Sequence, residues 1–190
     1  FLFSSPLSQD GKSSVISNLG LALAQAHKKV VIVDSDLRKP RQDKIFELDF
    51  NWGLSHFLSS IVDATEVILP TPYANLFLVP AGNAQIPPLE ALLSDKMKAF
   101  ITFLKQQYDF VLLDSPPLLA ISDALVLSKM VDNLILVVRA GQTPISALKQ
   151  VKAKLDAHQL SCLGVIINGV SLLEQDGYYS RQYYHYSKPL

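Results

Sequence analysis

Apolar residues along this chain fall into two alternating patterns. Short continuous runs, rich in β-branched residues, occur at Phe1-Leu2-Phe3, Val30-Val31-Ile32-Val33, Leu76-Phe77-Leu78-Val79, Phe110-Val111-Leu112-Leu113, Leu134-Ile135-Leu136-Val137-Val138 and Leu163-Gly164-Val165-Ile166-Ile167. A strand apolar on both faces is a parallel strand covered by helices on both sides. Between the runs the apolar residues follow the helical period. Val15, Ile16, Leu19, Leu23 and Ala26 mark a first helix that begins at Ser13 or Ser14, with Gly20 close against the sheet and Lys28-Lys29 closing its end. Leu89, Leu92, Leu93, Met97, Phe100, Ile101 and Leu104 mark one amphipathic helix over 89–107, its Met and aromatic stripe belonging to the core. Further helices are predicted up to about Met130, capped by Ser122 or Asp123, and from Pro144 at the first helical position, capped by Thr143. A short helix is predicted at 53–58 with Ser55 as a cap, and a loop with a short helix at 41–51. The alternation predicts an α/β fold of three layers, a mostly parallel central sheet flanked by helices.

In such sheets ligands bind at the carboxyl ends of the strands, so those ends carry the chemistry. The first run leads into Ser4-Ser5-Pro6-Leu7-Ser8-Gln9-Asp10-Gly11-Lys12-Ser13-Ser14 and then a helix. Strand, loop ending in Gly-Lys-Ser, helix is the layout of a phosphate-binding P-loop. The backbone N–H groups of Ser8, Gln9, Asp10, Gly11, Lys12, Ser13 and Ser14 are candidates to cradle phosphates. Lys12 would reach the β- and γ-phosphates and the Ser13 hydroxyl would hold Mg²⁺. The usual first glycine is Pro6 here. A Ser-rich turn capping a helix is the plain alternative.

The second run ends in Asp34-Ser35-Asp36-Leu37-Arg38-Lys39-Pro40. Asp34 and Asp36 are placed to bind Mg²⁺ or act as a base, or else form a polar turn. The fourth ends in Asp114-Ser115-Pro116-Pro117, where Asp114 has the position of a Walker B acid. Asn168 closes the last run, where it reads a nucleotide base or simply turns the chain with Gly169.

Composition narrows the function further. The 190 residues suffice for one domain with a full core. Lys+Arg and Asp+Glu both number 17, so no general nucleic-acid footprint is present, although Arg38, Lys39 and Arg41 form a local basic patch. One cysteine, Cys162, excludes an internal disulfide and suits a reducing compartment. His27, His56, His158 and His185 lack metal-ligand spacing and read as surface or interfacial residues. The chain starts at Phe1 inside a strand and reads as a fragment, with a catalytic domain over 1–176. Residues 177–190 differ: Tyr178, Tyr179, Tyr183, Tyr184 and Tyr186 lie there with no helix or strand period. Beside a nucleotide site, such a row of phenols suggests phosphate acceptors; alone it reads as a packing tail.

These segments together resemble the cytoplasmic kinase domain of the bacterial tyrosine kinases, the polysaccharide co-polymerase autokinases. The Walker A stretch Ser4–Ser14, the Walker A′ stretch Val30–Pro40, the Walker B stretch Val111–Pro117, the loop Pro80-Ala81-Gly82 with Pro87–Ser94 and the tyrosine tail all take part. Ser8-Gln9-Asp10 stands where the family often has Pro-Gly-Glu. The resemblance implies an ATP- and Mg²⁺-dependent protein-tyrosine autokinase that regulates exopolysaccharide or capsule synthesis. Lys12, Asp34, Asp36 and Asp114 would be catalytic, Ser13 and the three aspartates would hold the metal, and the five tail tyrosines would accept phosphate from a neighbouring subunit. It further implies a homo-oligomer, a transmembrane activator segment or partner, a protein-tyrosine phosphatase, and a place at the cytoplasmic face of the bacterial inner membrane. Partitioning or positioning ATPases of the same P-loop branch are the alternative. They carry an extra lysine four residues before the Gly-Lys glycine, where this chain has Leu7.

Overall fold

The computed structural model describes residues 1–170. Among the described residues seven strands form one sheet: β1 (Leu2–Ser4), β2 (Val30–Asp34), β3 (Leu69–Pro70), β4 (Leu76–Val79), β5 (Phe110–Asp114), β6 (Leu134–Arg139) and β7 (Cys162–Asn168). Their order is β3-β4-β2-β5-β1-β6-β7, with only β3 antiparallel to its neighbour. The α/β reading therefore holds. The P-loop strand β1 sits between β5 and β6, and β5 separates it from β2. This order brings the tips of β1, β2 and β5 together at one sheet end.

Two apolar layers enclose the sheet. On one face Phe3, Val30, Ile32, Leu78, Leu112 and Val137 pack with Ile16 and Ala24 of α1 (Lys12–Gln25). On the other, Leu2, Val31, Leu113 and Leu136 pack with Met97, Phe100 and Leu104 of α5 (Asp95–Gln107) and with Val151 and Leu155 of α7 (Ile145–Ala157). Each fully buried side chain of this size contributes about 1.5–3 kcal/mol. The remaining helices, α2 (Gln42–Ile45), α3 (Leu54–Leu58), α4 (Pro88–Leu93) and α6 (Asp123–Ser128), are short and lie in the connections.

Several sequence expectations change. The helix predicted over 89–107 is two, because Ser94 is extended (φ −64°, ψ 151°) and its hydroxyl caps α5 by accepting from Met97 N–H. Leu93 consequently turns outward and is 49% exposed. Capping by Ser94 offsets what continuing the helix would gain, and the apolar period runs on across the break. Helix α1 stops at Gln25, and His27 takes a left-handed φ of 61°, so Lys28-Lys29 lie past the helix end. Ser55 lies inside α3, whose cap is Gly53, and Thr143 makes no cap for α7. His56 is buried and its Nδ1 accepts from Gly53 N–H. The two-residue β3 and the 3-10 turn Ala64–Val67 had no sequence signature. Strand β7 is an edge, not a covered strand: Val165 and Ile167 are exposed among the described residues.

Gly20 is as close to the sheet as its position implied. A Cβ there would stand 2.8 Å from Ile32 Cδ1 and 3.3 Å from Leu76 Cδ1. Gly20→Val should therefore lower the unfolding free energy by about 2 kcal/mol through overpacking. Urea denaturation checks this; an unchanged midpoint would contradict the packing.

Candidate nucleotide-binding and phosphoryl-transfer site

Residues Ser5 to Gly11 leave β1 as a loop whose shape is held by side chains. Asp10 is buried; its Oδ2 accepts from Leu7 N–H at 3.0 Å and its Oδ1 accepts from the Thr143 hydroxyl at 2.7 Å. Asp10 thus braces the loop from inside. Gln9 stands at φ 71°, a left-handed conformation that favours glycine, and Gly11 at φ 87°. A Cβ on Gly11 would fall 1.9 Å from Asn168 Nδ2. That amide donates to the Asp10 carbonyl at 3.1 Å, so Asn168 packs on the back of the loop from the end of β7, and its Oδ1 accepts from Gly169 N–H. Arg139 Nη1 donates to the Gln9 carbonyl at 3.2 Å. Among the described residues, the N–H groups of Ser8 to Ser14 find no hydrogen-bond acceptor. Free N–H groups at a helix start carry partial positive charge, which suits an anion.

Lys12 is buried, and its Nζ forms an ion pair with Asp114 Oδ1. Asp114 lies beside Asp34, the two paired in register across β2 and β5. Asp34 Oδ2 accepts from the N–H groups of Arg41 and Gln42, each at 2.9 Å, and Oδ1 accepts from Asp36 N–H at 3.2 Å. Burial, and then the charge of Asp114, push the Asp34 carboxyl up to about 7. Two buried carboxylates side by side favour a proton or a cation over two bare charges. The Ser13 hydroxyl has no hydrogen-bond partner among the described residues, whereas its carbonyl accepts from Ser17 Oγ. Asp36 Oδ1 accepts from Arg38 N–H at 3.3 Å and Lys39 N–H at 3.0 Å, which holds the turn.

A Mg²⁺ ion takes one or two carboxylates and shares the phosphates of its nucleotide. Asp34, Asp114 and the unpartnered Ser13 hydroxyl fit that demand. Among the described residues no three His, Cys, Asp or Glu side chains form a self-sufficient metal cage. The tail tyrosines Tyr178, Tyr179, Tyr183, Tyr184 and Tyr186 lie outside the described residues.

Four contributors escaped the sequence reading. Gln42 is fully buried and bonds both Ser13 and Asp114. Arg38 donates from Nε to the buried Asp123 at 3.0 Å, tying the turn after β2 to α6. Thr143 and Arg139 hold the P-loop. Each acts on a residue far along the chain, a pairing that no local motif shows.

Free backbone N–H groups at a helix start, a lysine, a hydroxyl and two acids at neighbouring strand tips define a P-loop nucleotide-binding domain. The AAA domain family profile matches residues 10–162. The chain is similar to the putative tyrosine-protein kinase CapB of Staphylococcus aureus, 33% identical over 94% of this chain and 78% of that protein. It superimposes on the kinase domain of Escherichia coli tyrosine kinase ETK with a TM-score of 0.87 at 28% identity, over 93% of this chain and 69% of that one. The chain belongs to the bacterial tyrosine-kinase family. It spans 24% of the length of the tyrosine-protein kinase wzc of Salmonella typhi, which it matches at 30% identity. The fold extends to the septum site-determining protein MinD of Pyrococcus horikoshii, solved with Mg-ADP, at TM-score 0.74 and 27% identity over 87% of this chain and 68% of that one. Among the described residues no helix is long and apolar enough to cross a membrane.

Two outcomes follow for the protein alone. Gln9→Gly should raise stability by up to about 1 kcal/mol by relieving a left-handed backbone; a thermal melt that drops would contradict this. The pH effect comes from Asp34. Its unfolded value is 3.8 and its folded value about 7, so its contribution to stability is full below pH 3.8 and lost as pH rises through about 7. Melting temperatures with EDTA should therefore fall in wild type relative to Asp34→Asn across that window. A difference between the two that does not vary with pH would contradict the raised value.

Proposed function

We propose that this chain is the catalytic domain of an ATP-dependent protein-tyrosine autokinase. It transfers the γ-phosphate to tyrosines of its own C-terminal cluster, Tyr178, Tyr179, Tyr183, Tyr184 and Tyr186, between subunits of a homo-oligomer. The observation that carries the reading is the meeting of Lys12, Asp34 and Asp114 at one sheet end, in a chain of this family whose last residues are rich in tyrosine.

Phosphoryl transfer depends chiefly on position and charge neutralisation. In this reading the N–H groups of residues 8–14 hold the phosphates. Lys12 exchanges Asp114 for the γ-phosphate and offsets its charge. Ser13, Asp34, Asp36 and Asp114 would hold Mg²⁺, which would supply Lewis-acid neutralisation of the phosphate oxygens. Asp34 takes the phenolic proton as the phenol oxygen bonds to the γ-phosphorus; the bond to the β-phosphate oxygen breaks and ADP leaves. A phenol has a pKa near ~10, so a base with raised proton affinity helps at neutral pH. Asn168, packed on the back of the P-loop, is the candidate to meet the base. Regulation of exopolysaccharide or capsule synthesis, a transmembrane activator segment or partner, an opposing phosphatase and a site at the cytoplasmic face of the membrane complete the proposal, on the strength of the family resemblance.

The partitioning-ATPase reading shares the fold. Against it stands Leu7, an exposed apolar residue where the extra lysine belongs. Incubation with ATP–Mg²⁺ followed by mass spectrometry of 177–190 separates the two. Phosphotyrosine on wild type and its loss below about 1% in Lys12→Met are the predicted results, given the 10²–10³-fold worth of one such charge-stabilising group. Phosphate release with no phosphotyrosine would overturn the kinase reading in favour of the ATPase.

A further inference from the structure

Gln42 is the first residue of the four-residue helix α2 and is 0% exposed. A buried carboxamide needs a partner for every polar atom, and this one has them. Its Nε2 donates to Asp114 Oδ2 at 2.6 Å and to the Ser13 carbonyl at 3.2 Å. Its Oε1 lies 2.8 Å from the Ser17 hydroxyl and shares that hydroxyl's one proton with the Ser13 carbonyl. The opposite orientation of the amide would set its oxygen against a carboxylate and a carbonyl, so the network fixes which end is which. The backbone N–H of the same residue donates to Asp34 Oδ2. One neutral residue therefore touches both acids and the residue that follows the P-loop lysine.

The consequence concerns Asp114 when its other partner leaves. In this structure Lys12 holds Oδ1 and Gln42 holds Oδ2. Once Lys12 turns to a phosphate, the amide of Gln42 is the remaining side-chain anchor of that carboxylate among the described residues. A carboxylate tied through Oδ2 presents Oδ1 in a fixed direction. We propose that Gln42 is a positioning residue: its amide, held by Ser17, orients the Asp114 carboxylate and so sets how much Mg²⁺ adds to nucleotide binding. This rests on the reading of the pocket as a Mg²⁺–nucleotide site. Outer groups that orient a ligand are worth roughly 10–100-fold in metal affinity.

The test measures binding, with no catalysis required. The dissociation constant of a fluorescent ADP analogue is determined in EDTA and in excess Mg²⁺ for wild type, Gln42→Met and Ser17→Ala. Met matches the length of Gln and removes the donors. The Mg²⁺ enhancement should fall about tenfold in Gln42→Met, with binding in EDTA within about twofold of wild type. Ser17→Ala, which leaves the bond to Asp114 but frees Oε1, should show a smaller loss in the same direction. If Gln42→Met fails to fold by circular dichroism, the result for Ser17→Ala decides. An unchanged enhancement, or an equal loss with and without Mg²⁺, would overturn the positioning role and leave Gln42 a packing residue. No Mg²⁺ enhancement in wild type would instead bring down the nucleotide–metal reading itself, and the inference with it.

Discussion

Two carboxylates are locked side by side by the register of parallel strands. Asp34 and Asp114 end β2 and β5 and pair directly across the sheet. Neither can retreat without shifting a strand whose preceding residues are fully packed. Burial removes the water that would separate their charges, and like charges at such range cost several kcal/mol at low effective dielectric. The structure answers with three devices: Lys12 pairs with Asp114, N–H groups of Arg41 and Gln42 point at Asp34, and Asp34 holds its proton up to about pH 7. A site so short of positive charge is prepared for a cation. The free N–H groups of the P-loop beside it are prepared for an anion. Together they describe the two halves of a metal–nucleotide complex.

The fold serves this pairing by where it puts β1. Because β1 lies against β5, the loop leaving it delivers Lys12 to Asp114, and α1 then returns over the face that Ile16 and Gly20 keep tight. Arg38 on Asp123, Thr143 on Asp10 and Asn168 behind Gly11 tie the three strand tips to the neighbouring connections. Gln9 in a left-handed conformation shows that the loop keeps its shape even where the residue does not favour it. The likeness to MinD lies at the level of overall fold, so the distinction between kinase and ATPase rests on local chemistry, Leu7 and the tyrosines among it.

Much of this was legible in the sequence because strand tips announce themselves. A β-branched run that ends in Asp, or in Gly-Lys-Ser, fixes both the element and the end at which its chemistry sits. Lys12, Asp34 and Asp114 were found that way, and the structure brings them together. What stayed hidden lacked a local pattern. Gln42 reads as one more polar loop residue, yet it acts on Asp114, 72 residues away. Asp123 and Thr143 look like helix caps and instead bond to Arg38 and Asp10. The break at Ser94 was masked because Leu89 to Leu104 keep a helical period through it, and only the capping geometry reveals two helices.

The central claim is that Lys12 and Asp114, ion-paired in this structure, serve the same bound triphosphate. A double-mutant cycle on the affinity for Mg²⁺ with a non-hydrolysable ATP analogue, using Lys12→Met, Asp114→Asn and the pair, addresses it most directly. The account predicts strong coupling, with the double variant binding little worse than the weaker single variant. Losses that simply multiply would mean that the two residues act on separate sites, and would contradict it.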